Sequence, residues 1–156
     1  MYESRIKQTP SFVEHPEELE ARFYFDHRKA ILLPLNVQGQ ILIQDRRGYK
    51  KPDWGFCGGE IEAGETPVEA IIRESCEELS IQLKPDECTY LGAFAGPSGD
   101  GDGLSYIRYV FLLQTNQELF DVREGAGAQW FTPAEARTLL TSNWLNLLFE
   151  RLKFIG

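Results

Sequence analysis

The sequence predicts an α+β fold, a mixed sheet with helices packed on it, and three observations carry that prediction. Short stretches rich in Val, Ile, Leu, Phe and Tyr recur between residues 30 and 131, bounded by Gly, Pro, Asn and Asp. Two helix starts share one grammar, Thr66-Pro67-Val68-Glu69 and Thr132-Pro133-Ala134-Glu135, each a Thr cap, a Pro in the first turn and a Glu three residues on. Strands and helices do not alternate regularly, which points away from a doubly wound parallel sheet and toward a mixed-sheet sandwich.

Taken in order, residues 1–22 read as a polar N-terminal extension with one short helix at "PEELEA", and residues 23–156 as a single domain. "AILLPLNVQGQILIQ" reads as two apolar strands joined by a turn at Gln38-Gly39. "RRGYKKPD" is a basic loop, and "WGF" a short strand leading into Gly58-Gly59. The helix capped by Thr66 follows. "TYLGAFA", "LSYIRYVFLLQ" and "AQWF" read as strands, with "GPSGDGDG" a loop between the first two. Thr132 opens a helix through Leu140, and Asn143 caps a last amphipathic helix carrying Leu147, Leu148 and Leu152.

With 156 residues the chain is long enough for one domain with a real core. Its net charge of -8 argues against binding a nucleic-acid polymer. An anionic small molecule would then need a bound cation or a local basic patch. No apolar run reaches bilayer length, and the N-terminus lacks the basic start and apolar core of a secretion signal, so a cytoplasmic protein without membrane partners is expected. Cys57, Cys76 and Cys88 are odd in number and never spaced as CxxC, against both a disulfide framework and a zinc site. His15 and His27 leave little room for histidine catalysis. "GDGDG" fails as a calcium loop, because the third acidic position after Asp100 and Asp102 is Leu104 and the twelfth is Phe111.

The chemistry concentrates between Trp54 and Ser80, where seven residues are glutamates. On a helical wheel Val68, Ile71, Ile72, Ser75 and Leu79 share the core-facing arc, and Glu74, Glu77 and Glu78 fill an adjoining one. Side by side, these carboxylates repel, and Glu77 and Glu78 also meet the negative end of the helix dipole. A solvated acidic face is the ordinary explanation. A hard divalent cation is the chemical one, since magnesium or manganese takes carboxylate oxygens and bridges to phosphates.

At these positions the chain resembles a known family. Gly59, Glu65 after five residues and, after seven more, Arg73-Glu74-Ser75-Cys76-Glu77-Glu78-Leu79-Ser80-Ile81 resemble the Nudix box, G-x5-E-x7-R-E-U-x-E-E-x-G-U. Ser75 stands where an apolar residue is usual and Ser80 where glycine is usual. The resemblance implies an α/β/α sandwich around a mixed sheet, and hydrolysis of a nucleoside diphosphate linked to another moiety with Mg2+ or Mn2+ as cofactor. It implies Glu74, Glu77 and Glu78 as metal ligands with the Gly58 carbonyl, and an Arg73–Glu65 pair as a brace. Glu74 or the loop residue Glu124 would orient or deprotonate the water. Gly59 would allow close approach to phosphates, Arg46 and Arg47 would hold them, and Trp54, Phe94 or Trp130 would stack on a base.

"WGFCGGEIEAGE" is similar to the MutT-like pattern W-x-F-P-G-G-x-I-E-x-G-E, which implies a nucleoside or deoxynucleoside triphosphate substrate. Cys57 replaces the proline, and Glu60 stands where a phosphate-binding lysine is common. Pro97 resembles a downstream proline of the ADP-ribose pyrophosphatase branch, so ADP-ribose or a nucleotide sugar is the alternative, and a ligand-binding module without hydrolysis a second. The N-terminal extension is a candidate arm for a homodimer.

Overall fold

The computed structural model describes residues 11–13, 15–45, 54–97, 103–117, 120, 127–140 and 148–150. Strands β1 (Ser11–Val13), β2 (His27–Leu35), β3 (Ile41–Asp45), β4 (Trp54–Gly55), β5 (Cys57–Glu60), β6 (Thr89–Pro97), β7 (Ser105–Gln114) and β8 (Gly127–Phe131) form one sheet. Among the described residues are helices α1 (Pro16–Arg22), α2 (Pro67–Leu79) and α3 (Pro133–Leu139), a 3-10 turn at Pro85–Glu87, and helical residues 148–150. The main path through the sheet runs β1-β6-β7-β2-β3-β4, with β5 paired to β2 and β8 to β3. β2 and β7 are parallel and the other pairs antiparallel, so the sheet is mixed, as expected.

Two cores follow from the two-residue period of the central strands. Ala30 and Leu32 of β2, with Ile107, Phe111 and Leu113 of β7, pack with Ala70, Ile71 and Leu79 of α2. The alternate residues Ile31, Leu33, Val110 and Leu112 pack on the other face with Ala136, Leu140, Leu148 and Phe149. Strands apolar on both faces need cover on both sides, and the result is the α/β/α sandwich.

The sequence reading needs correction at three places. The short strand expected at "WGF" forms as β4, but Gly58 and Gly59 after it belong to a further strand, β5, paired to β2 at Ile31 and Ala30. Gly96 and Pro97 extend β6, opposite Tyr106 and Ser105, where a loop was expected. β2 begins at His27, three residues before the apolar run. The segment read as an extension supplies β1, paired with Ala93–Ala95 of β6, and α1, whose Glu20 accepts hydrogen bonds from Arg28 and the Tyr109 hydroxyl (2.7 Å). The expected Asn143 cap lies outside the described residues.

The Thr66 cap forms as its grammar predicts. Thr66 Oγ1 accepts from the Glu69 amide at 3.2 Å, and Glu69 Oε1 accepts from the Thr66 amide at 3.0 Å. At the other end Ser80 closes α2 in the left-handed conformation (φ 59°), its amide donating to the Cys76 carbonyl. Glycine adopts that conformation more cheaply. Replacing Thr66 with alanine is expected to lower the unfolding free energy by about 1 kcal/mol, read as a lower urea midpoint at unchanged slope.

Candidate active site

The site is assembled by α2 lying over β5. Gly58 and Gly59 are there because nothing larger fits. A Cβ at Gly58 would lie 2.2 Å from the Ala30 carbonyl oxygen, and its φ of 148° is strained for other residues. A Cβ at Gly59 would lie 2.6 Å from Glu74 Oε1. The missing side chain at Gly59 therefore makes the space in which the Glu74 carboxylate sits against the strand.

The three box carboxylates have different surroundings. Glu78 is wholly buried, and its Oε2 accepts the Gly58 amide at 3.1 Å with Cys57 Sγ at 3.9 Å. Glu74 is 13% exposed and Glu77 51%. A solvated acidic face would leave all three in water. Burying Glu78 costs desolvation energy that a surface role would not require, and this singles the face out.

Arg73 lies among these acids. Its Nε donates to Glu65 Oε2 at 2.8 Å and Nη2 to Glu65 Oε1 at 3.0 Å, a two-pronged pair. Nη1 reaches Glu74 Oε1 at 2.9 Å and Glu77 Oε2 at 3.3 Å, and Nη2 also donates to the Glu60 carbonyl at 3.0 Å. Glu65 in turn accepts the Glu62 amide at 2.8 Å. The Glu65 pair, followed by Glu74, holds the guanidinium further above its already high ordinary pKa, against the opposing effect of burial. The Arg73 fork and the Glu62 amide hold the Glu65 carboxyl below the usual range. Through these contacts Arg73 of α2 is tied to Glu60 and Glu65 of the preceding loop.

Among the described residues no three His, Cys, Asp or Glu side chains converge into one ligand shell. Arg73 bridges Glu74 and Glu77, and Glu78 turns to the Gly58 amide. The site is nevertheless lined by hard oxygen donors with a glycine strand beside them, a chemistry that fits magnesium or manganese. Gly59→Ala is expected to push Glu74 aside while leaving the fold intact, because the clash falls on the end of a flexible side chain. Turnover should fall about 10²-fold, the effect of misplacing a reacting group by about 1 Å, with little change in melting temperature.

Other expected residues fare differently. Phe94 is 1% exposed in the core and is not a stacking residue. Trp54 is half-buried and packs edge-on to Phe131 at 5.2 Å, while Trp130 packs near Phe120 at 6.2 Å. Arg46, Arg47 and Glu124 lie outside the described residues. Sequence reading missed a cluster on the opposite sheet face, where His27 pairs with Glu60 and stacks on Tyr106. The signal was the two-residue alternation in His27-x-Lys29 and Tyr106-x-Arg108, but only the register of the parallel strands brings those pairs together.

No helix among the described residues is long and apolar enough to cross a membrane. The chain is 30% identical over 111 residues to the human 8-oxo-dGDP phosphatase NUDT18, covering 64% of this chain and 32% of that protein. It is 28% identical over 83 residues to the phosphatase NudJ of Escherichia coli, covering 53% and 52%. The chain thus spans about half or less of the length of these relatives. The NUDIX domain of Shewanella oneidensis NrtR, solved with ADP ribose, superposes with a TM-score of 0.66 at 14% identity, covering 90% of this chain and 97% of that one, a likeness of fold. The model of the NUDIX domain matches residues 26–150, and with the box in place on α2 the chain belongs to the Nudix family.

Proposed function

We propose that the protein is a Mg2+-dependent Nudix pyrophosphohydrolase that cleaves a (deoxy)nucleoside triphosphate to the monophosphate and pyrophosphate. The observation that carries the hydrolase reading is the intact carboxylate set on α2, with Glu78 buried against Gly58 and Glu74 seated over Gly59. A module that only binds its ligand has no need of a buried carboxylate beside two glycines. The substrate reading rests on "WGFCGGEIEAGE". The name of the relative NUDT18, an 8-oxo-dGDP phosphatase, agrees with a nucleotide substrate.

Glu74, Glu77, Glu78 and the Gly58 carbonyl would hold magnesium or manganese, which when bound supplies neutralisation of phosphoryl charge and a more acidic water. The chain's own residues do the rest. Glu74 or Glu124 orients the attacking water and takes its proton. Arg73, fixed on Glu65, keeps Glu74 and Glu77 at the mouth of the site and ties the loop through the Glu60 carbonyl. Gly59 leaves the backbone bare where phosphate oxygens approach. Arg46 and Arg47 contribute positive charge upstream. Most of the rate gain is then positioning and charge stabilisation.

The second reading, an ADP-ribose or nucleotide-sugar pyrophosphatase, rests on Pro97 at the end of β6. A hydrolysis screen with magnesium across triphosphates, ADP-ribose, nucleotide sugars and dinucleoside polyphosphates decides between them. Preference for triphosphates with pyrophosphate released supports the proposal; inertness on every compound would favour a binding module.

A further inference from the structure

Under the carboxylates of α2, the strand β5 carries one side chain into the core. Cys57 is 1% exposed and lies among Ala30, Leu42, Ala70 and Ile71. Its Sγ donates across 3.9 Å to Oε2 of Glu78, the same oxygen that accepts the Gly58 amide at 3.1 Å. Glu78 is itself fully buried. Adjacent residues of one strand thus place two donors, a thiol and an amide, on one carboxylate oxygen.

The last torsion of a glutamate side chain is broad, so the side chain alone does not fix how its carboxylate is turned. One hydrogen bond leaves the group free to swing about that contact, and a second donor on the same oxygen narrows the swing. A thiol is a weak donor, but electrostatic contacts strengthen where water is excluded, and here both partners are buried. Burying a carboxylate is costly, and a polar hydrogen at position 57 offsets part of a cost that a methyl group would leave. The pattern that "WGFCGGEIEAGE" resembles has proline at this position, which offers no side-chain donor.

We infer that Cys57 is a positioning residue for Glu78: its thiol, beside the Gly58 amide, sets the orientation of the carboxylate assigned above to the divalent cation. Its effect on cation binding rests on that assignment; the thiol–carboxylate contact does not. A cysteine that only filled the core would show its loss in stability, and cation affinity would stay unmoved in every folded variant. A positioning donor shows a rank order instead. Alanine, with no donor, weakens cation binding, and serine restores it, because its hydroxyl keeps a hydrogen to offer the same oxygen.

The test has two arms. In the metal-free protein the infrared S–H stretch of Cys57, assigned as the band that Cys57→Ser removes, should move in Glu78→Gln, since the acceptor loses its charge. In calorimetric titration with Mn2+ and no nucleotide, Cys57→Ala should bind about tenfold more weakly than native, the scale on which groups that orient metal ligands act. Cys57→Ser should recover most of that loss, and Cys88→Ala, at the start of β6, should behave as native. Melting curves matching the native chain confirm that each variant folds. A Cys57 band that stays in place in folded Glu78→Gln would overturn the positioning role, as would serine binding as weakly as alanine. Native Mn2+ binding that Cys57→Ala leaves unchanged overturns the positioning role alone, whereas a native chain that binds no Mn2+ overturns it together with the cation assignment.

Discussion

Glu77→Gln is expected to lower kcat about 10²–10³-fold, the loss that removing one preorganised charge-stabilising group brings. The prediction is clean because Glu77 is half exposed, so its fold contribution is small. Glu77 Oε2 accepts from Arg73 Nη1 at 3.3 Å, and a glutamine oxygen can still accept that hydrogen bond. What glutamine cannot supply is negative charge. The exchange therefore separates two roles: as an ion-pair partner on the surface of α2, Glu77 would contribute well under 1 kcal/mol and turnover would barely change. As a carboxylate for a divalent cation, its loss should also raise the magnesium concentration needed for half-maximal rate. Measuring kcat against magnesium, beside a urea curve, reads both. Native-like turnover at every magnesium concentration would remove Glu77 from the site.

The contrast between Glu77 and Glu78 shows how far the sequence could be read. Spacing along α2 placed both on one face, and the Thr66 and Thr132 caps placed the helix starts, because these features are local and depend on residues within a turn of one another. That Glu78 is wholly buried and Glu77 half exposed depends on where β5 lies under the helix, a long-range fact. Gly58-Gly59 hid that strand, since glycine carries no strand preference and β5 exists through its pairing with Ala30 and Ile31 of β2. The parallel register of β2 on β7 was equally invisible. It joins residues 79 apart in sequence, His27 and Tyr106, and no turn chemistry between them sets it. Hence the His27–Tyr106 stack could not be read from alternation alone.

Arg73 gives the second large effect. Arg73→Lys should lower kcat about 10–100-fold, the range found when a group that orients the ligating carboxylates is removed, although the positive charge is kept. The guanidinium meets Glu65 through two nitrogens, Glu74 and Glu77 through a third, and the Glu60 carbonyl besides. An ammonium is a compact point charge and cannot hold that fork. With lysine the helix keeps its charge balance, but Glu65 loses its two-pronged partner and the loop from Glu60 to Glu65 loses its tie to α2. Arg73→Gln should be worse, because Glu65, Glu74 and Glu77 then face one another with no cation among them. If charge alone mattered, lysine would restore native turnover and glutamine would not. If geometry matters, both fall, and a higher magnesium concentration recovers lysine only in part. Since Arg73 makes no proposed contact with substrate, KM should change less than kcat in both variants, and a rise confined to KM would refute the bracing role.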